Sequence, residues 1–341
     1  MRKHLFLIAA LVAVVTLTAY AGGSSEKGAA QPAKPTVLRI SNGINQDHPT
    51  YLACKRFAEL LQQKDPGKFE VQVYANAELG DDVRATESVR MGTLEMVATS
   101  ASPLTGLVPA FSVFDLPFII TTPKEADAVY DGPVGAKLAK MLEPKGLKLL
   151  AYYENGFRDV TNSAHAIKEP ADVKGLKIRT MENPIHLAVW RSLGANPVPM
   201  PFSEVFTAMQ QKTIDGQENP VPTIYLSKFY EVQKYVTLSN HVYGPHILLM
   251  NEKLFESFPA ADQKAILAAA QESAIYQRDL NRKLNADLVA KLKAEGMVVT
   301  EFTPSELADF KKAVQPVYAE WVPKIGSDLV AEFQAAVAAA K

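Results

Sequence analysis

The chain holds 341 residues, enough for about two domains, and its 48% apolar and 21% charged content is that of a globular protein rather than a disordered one. With 36 basic and 37 acidic residues the formal charge is −1, so there is no basic excess to hold a polyanion, and nucleic acid is not an expected partner. A single cysteine, Cys54, rules out an internal disulfide and any Cys-x-x-Cys metal or redox site.

Arg2 and Lys3 open the chain, Leu5 to Ala19 is an apolar run of 15 residues, and Ala19-Tyr20-Ala21 has the small-x-small form of a cleavage site. Residues 1–21 therefore read as a cleaved secretory signal peptide. The run is shorter than the roughly 20 residues that span a bilayer, which argues against a membrane anchor. Residues 22–35 are small, polar and aperiodic and read as a flexible tether. The mature chain is expected to be exported, in the periplasm.

Strand-like and helix-like segments then alternate. Val37 to Ile40 reads as a strand, and Tyr51 to Leu61 as a helix with Leu52, Phe57, Leu60 and Leu61 on one face. Phe69 to Tyr74 alternates as a strand does. Asp81 is placed to cap a helix running to Met91; Asp81 and Asp82 both read as helix-start residues favoured by the dipole, with a place in the cleft as the alternative. Leu94 to Ala98 reads as the next strand. A second series follows: strands at Gly156 to Thr161 and Gly175 to Arg179, a helix from Pro184 to Leu193, an extended Ala195 to Pro199, and a helix from Ser203 to Gln211 with Ser203 as its cap. Successive units of this kind predict an α/β fold with a largely parallel sheet, and two series of similar size predict two lobes.

From Ala260 to Glu295 the pattern stays helical without Gly or Pro, with a stripe at Ile266, Ala269, Ala270, Ser273, Tyr276, Leu280, Leu284, Leu288 and Leu292. Such a helix would be about 54 Å long, more than one small lobe is wide, so it is either broken or bridges both lobes; a coiled-coil partner helix is the alternative, which an α/β body disfavours. Helices over Pro304 to Trp321 and Lys324 to Ala340 close the chain.

No motif of a serine hydrolase, zinc protease, dinucleotide fold, P-loop or EF-hand is present, so no catalytic residue, cofactor or metal is expected. His241 and His246 lie five apart across Gly244-Pro245, which is not a helical metal-ligand spacing. Arg179 ends a predicted strand, where an open α/β sheet gathers its ligands. Its planar guanidinium matches a carboxylate with two parallel hydrogen bonds, although a surface or salt-bridged arginine fits the spacing as well.

Eight segments, in order over nearly the whole mature chain, carry a resemblance. They are Gly80-Asp81-Asp82, Phe114-Asp115-Leu116-Pro117-Phe118, Asn155-Gly156-Phe157-Arg158, Gly175-Leu176-Lys177-Ile178-Arg179, Gly194-Ala195-Asn196-Pro197, Met200 to Phe206, Asp215-Gly216-Gln217-Glu218-Asn219-Pro220, and Lys228 to Lys234. Together they resemble the DctP-type solute-binding proteins of TRAP (tripartite ATP-independent periplasmic) transporters. The resemblance implies a two-lobed periplasmic-binding-protein (Venus flytrap) fold with a long bridging helix. On this chain that means lobe I from 36–155 and 245–284, and lobe II from 156–244 and 285–341. It implies capture of a small organic acid and its delivery to the small and large subunits of a membrane permease.

By the same resemblance Arg179 pairs with the ligand carboxylate, Asn219 helps hold it, Arg158 is a second arginine facing the cleft, Phe202 lines the site and His246 is a polar contact. Ser100 and Pro103 stand where sialic-acid binders carry an acidic residue and an arginine, and Glu182 replaces an amide, which argues against sialic acid. Asn42, Ser100 and either Glu78 or His48 would read the distal end of the ligand; Glu78 could equally be only solvated, and His48 only cap the first helix. The acid is expected to be a C4-dicarboxylate, a keto or hydroxy acid, or a sugar acid. The competing readings are an exported lyase or isomerase acting on an organic acid, and the sensor lobe of a membrane receptor.

Overall fold

The computed structural model describes residues 34–340; the signal peptide and most of the tether lie outside them. Among the described residues, nine strands form one mixed sheet: β1 (Thr36–Asn42), β2 (Phe69–Tyr74), β3 (Met96–Ser100), β4 (Leu147–Asn162), β5 (Lys177–Thr180), β6 (Asn196–Pro199), β7 (Gly216–Pro220), β8 (Tyr235–Asn251) and β9 (Val298–Glu301). The order is β2-β1-β3-β8-β4-β7-β5-β6, with β9 beside β8.

The sheet departs from the parallel expectation at its centre. Pairs β1–β2, β1–β3, β5–β6, β5–β7 and β8–β9 are parallel, but β3–β8, β4–β7 and β4–β8 run antiparallel. Strands β4 and β8, of 16 and 17 residues, cross the molecule and belong to both halves of the sheet. Their ladder shifts register at Leu149/Ala151, Glu154/Gly156 and Arg158/Val160. Gly156, at φ +111°, supplies a backbone conformation that a side chain would resist at the middle shift.

Each half has its own core. Leu38, Ile40, Phe57 and Leu61 pack with Leu248 and with Ile266, Ala269 and Ala270 of the helix Ala260–Ala294. In the other half Met209, Val221, Ile224 and Phe229 pack with Leu288 and Leu292 of the same helix. The helix is thus unbroken over 35 residues, about 52 Å, and bridges the two halves as its length predicts. Between its apolar ends the buried face turns polar. Gln277 exchanges two hydrogen bonds with the Glu154 backbone (2.7 and 2.8 Å), Asn281 donates to Glu154 Oε1 (3.0 Å), and Arg282 donates to Glu154 Oε2 (2.6 Å). Tyr276, placed in the stripe by spacing, is 40% exposed.

A third cluster joins Phe111, Phe114, Val129 and Trp190 to Phe310 and Phe333 of the C-terminal helices. These are three helices, Pro304–Ala313, Gln315–Ile325 and Ser327–Ala339, where the sequence suggests two. Pro316 lacks an N–H and is tolerated only in a first turn, so the chain restarts at Gln315. Nor does Ser203 cap a helix: Phe202–Glu204 is a 3₁₀ turn, and the α-helix begins at Val205. Among the described residues no helix is long and apolar enough to cross a membrane.

The β4–β7 register places Gly216 opposite Asn162, where a Cβ would lie 2.0 Å from the Thr161 carbonyl oxygen. Gly216→Ala is expected to lower Tm by about 4–8 °C, as overpacking of about 2–3 kcal/mol would. Gly106→Ala, where a Cβ meets open space, serves as the control. Equal melting of the two variants would show the register to be wrong.

Candidate functional site

A pocket opens where the two halves of the sheet face each other. The first half contributes Asn42, Gly43 and Ile44 from the end of β1, Asp82 from the start of the helix Asp82–Met91, and Thr99 and Ser100 from β3. The second half contributes Arg179 on β5, Met181 just after it, Phe202, Asn219 on β7 and Thr223. Asn155 and His246 come from the crossing strands. Strand ends converge here because parallel strands all deliver their carboxyl ends to one side of the sheet.

Arg179 is 2% exposed. Its Nε and Nη2 donate to the Met200 carbonyl (3.0 and 2.6 Å), which fixes the plane of the guanidinium, while Nη1 has no protein partner. Burial lowers its pKa to about 10, with Glu218 and Asp82 pulling the other way, so it stays charged at neutral pH. Phe202 lies with its ring 6.0 Å from the guanidinium carbon.

Three more buried polar atoms on pocket-lining residues are unpartnered, Asn42 Nδ2, Thr99 Oγ1 and Asn155 Oδ1. The Asn42 amide is oriented by its Oδ1, which accepts from the Ile44 N–H (2.9 Å). Asn219 donates from Nδ2 to Gln217 Oε1 (2.6 Å), and its Oδ1 lies 3.3 Å from Arg158 Nη2.

Of the nine residues expected from sequence, Arg179, Asn219, Phe202, His246, Ser100 and Asn42 line this one pocket. The other three do not. Arg158 is 1% exposed and forms an ion pair with Glu218 through Nε and Nη2, so it stands behind Asn219 rather than on the pocket wall. His48 caps the helix Pro49–Lys64, its Nδ1 accepting from the Thr50 N–H (3.2 Å), and reaches Thr223 instead of the pocket. Glu78 is exposed in the turn before Gly80. Trp190 lies in the core, as its helical setting suggests.

Alternation along β7 sends Asn219 to the pocket and Glu218 into the protein. Burial opposes the charge of Glu218, but Arg158 and His186 outweigh it and hold the carboxyl well below the usual range. Burial would likewise lower His186, yet Asp115 and Glu218 raise it to about 9. The negative charge nearest to Arg158 is therefore already neutralised behind the pocket.

Asp82 is the residue that sequence reasoning underrated. Asp81 alone satisfies the helix cap, its Oδ1 accepting from the Arg84 N–H (2.9 Å), which leaves the second carboxylate to face the pocket. Two adjacent aspartates where one cap is needed were the available signal. Burial pushes Asp82 up to about 6, against the pull of Thr99 and Arg179. Burial also holds His246 far below its ordinary range, so it is neutral. Among the described residues no group of three or more His, Cys, Asp and Glu side chains is arranged to hold a metal ion.

Residues 40–324 match the model of bacterial extracellular solute-binding protein family 7, DctP. The chain is 37% identical over 86% of its length, and 90% of the relative's, to the 2,3-diketo-L-gulonate-binding periplasmic protein YiaO of Escherichia coli. It superposes with a TM-score of 0.88 on the sugar acid binding protein DctPAm of Advenella mimigardefordensis in complex with galactonate, at 42% identity and covering 90% of this chain and 99% of that one. A TRAP periplasmic solute-binding protein of Polaromonas bound to D-erythronate superposes at 0.85, with 38% identity and 88% and 98% coverage. These relatives are binding proteins rather than enzymes, and they have the two-lobed fold. With a family match over most of its length and relatives this similar, the chain belongs to the DctP-type TRAP solute-binding proteins, family 7 of the bacterial extracellular binders.

Proposed function

We propose that this protein captures a polyhydroxylated monocarboxylate, a sugar acid, outside the inner membrane and delivers it to the small and large subunits of a TRAP permease. The N-terminal signal sequence supports export, with cleavage after Ala21. One observation carries the ligand class: the unpartnered Nη1 of a buried, charged Arg179 shares the pocket with unpartnered Asn42 Nδ2 and Asn155 Oδ1. Buried polar groups are nearly always satisfied, and an unpaired one costs about 1–3 kcal/mol. A carboxylate completes Arg179 through charge-assisted bonds, and hydroxyl groups, which both donate and accept, complete the two amides.

Asp82 favours a sugar acid over a dicarboxylate. It faces the pocket from the half opposite Arg179, so the distal end of a ligand held by Arg179 meets a carboxylate. A hydroxyl donates to it; a second carboxylate is repelled. The relatives bound to galactonate and erythronate agree with this reading.

Three measurements test the proposal. In calorimetry Arg179→Lys is expected to weaken galactonate at least tenfold, since a point charge cannot reproduce the planar fork; wild-type affinity in the variant removes Arg179 from the site. A hundredfold excess of ligand over Kd adds about 2.7 kcal/mol, about 5 °C or more in Tm, and a panel of sugar acids that leaves Tm unmoved contradicts the function. Asp82→Asn is expected to weaken galactonate and strengthen succinate. Because the ionised carboxylate is the better acceptor, wild-type galactonate affinity should be full above Asp82's pKa of about 6 and fall as pH drops through it, with no such fall in the variant. A pH profile identical in both proteins would exclude the contact.

A further inference from the structure

Beside the pocket its two walls are joined by direct hydrogen bonds. The segment 43–48 leaves β1 and enters the helix Pro49–Lys64, whose Ala53, Cys54 and Phe57 are set in the core of the first half. The helix Val221–Leu226 leaves β7, and its Val221 and Ile224 are set in the core of the second half. Between them His48 Nε2 lies 3.1 Å from Thr223 Oγ1, and Asn45 Nδ2 donates to the Leu226 carbonyl at 2.9 Å. The two contacts therefore join an element anchored in the core of Leu38, Phe57 and Leu61 to one anchored in the core of Met209, Ile224 and Phe229.

The His48 ring is fixed on both sides. Its Nδ1 accepts from the Thr50 N–H (3.2 Å), so in the neutral ring Nε2 carries the hydrogen and donates it to Thr223. Burial holds the ring pKa down to about 3, which keeps it in this neutral form over the physiological range. Thr50 in turn places its Oγ1 2.8 Å from His246 Nδ1. His246 and Thr223 both line the pocket, so a chain of hydrogen bonds runs from one pocket wall, through Thr50 and His48, to the other. His48 and Asn45 are outside the pocket lining and have no place on a ligand.

We infer that His48 and Asn45 form a latch that holds the two lobes closed over the ligand, His48 acting as a positioning residue through Thr223 rather than as a ligand contact. The latch rests on the proposed binding function for its purpose, but its geometry is independent of which acid binds. A two-body clamp closes only as far as its closed state gains contacts that the open state lacks, and these bonds are such contacts. A typical hydrogen bond is worth only about 0.5–1.5 kcal/mol net, so the latch biases closure and the ligand completes it.

The test uses His48→Asn, which keeps a helix-capping side chain but cannot span to Thr223, together with Asn45→Ala, Thr223→Val and the His48→Asn/Thr223→Val double variant. Stopped-flow and calorimetry with galactonate are expected to show release about three- to tenfold faster in each single variant, with little change in the association rate. The double variant is expected to release ligand no faster than the more affected single variant, because one contact is lost only once. Hydrogen exchange without ligand adds an independent reading: His48→Asn and Asn45→Ala should raise exchange at the amides of 223–227, across the pocket from the substitutions, and leave Tm close to wild type. Wild-type release in the single variants, additive effects in the double variant, or unchanged exchange at 223–227 each overturn the latch. Failure of the wild-type protein to bind any sugar acid overturns the functional proposal instead, and the exchange measurement still decides the latch.

Discussion

The site turns on a guanidinium that is paired on one edge only. Arg179 is out of water and charged, and a charge in that position is costly unless it is hydrogen-bonded and neutralised. The Met200 carbonyl takes Nε and Nη2 and leaves Nη1 to the pocket. The fold could have supplied a carboxylate of its own, and one is near. Glu218 is instead turned away by strand alternation and held by Arg158, His186 and His241. The protein thus keeps its nearest strong internal anion engaged elsewhere, and an anion from solution has a place to go.

The rest of the architecture places that arrangement between two halves of one sheet. Two of the apolar cores each belong to one half, a third containing Phe114, Ile178 and Trp190 runs across both, and two crossing strands with register shifts at their centre and one long helix complete the connections. Where the helix passes the crossing strands its apolar face gives way to Gln277, Asn281 and Arg282, all bonded to Glu154. Hydrogen bonds to the crossing strand at Tyr152, Tyr153, Glu154 and Asn155 hold the helix at the junction.

Much of this was legible in the sequence, for identifiable reasons. Period and length exposed the strands, the capped helices and the bridging helix, and six of the pocket's side chains were expected from the sequence, three of them (Arg179, Phe202 and Asn219) within the ordered motifs. Strand direction was not legible, because an apolar run such as Leu149 to Tyr153 reads the same whether its neighbours are parallel or antiparallel. Nor was the engagement of Arg158: its residue type permits either a ligand contact or an internal ion pair, and only the buried Glu218 beside it decides between them. Asp82 was hidden by a local explanation that sufficed for Asp81 alone, and His48 by the fact that its partner lies 175 residues away.

The direct measurement of the central claim is a crystal structure of the protein with galactonate. The account predicts a carboxylate oxygen about 2.7–2.9 Å from Arg179 Nη1, with the sugar hydroxyls reaching Asn42, Asn155 and Asp82. A ligand whose carboxylate lies elsewhere, with Nη1 still unpartnered, contradicts it.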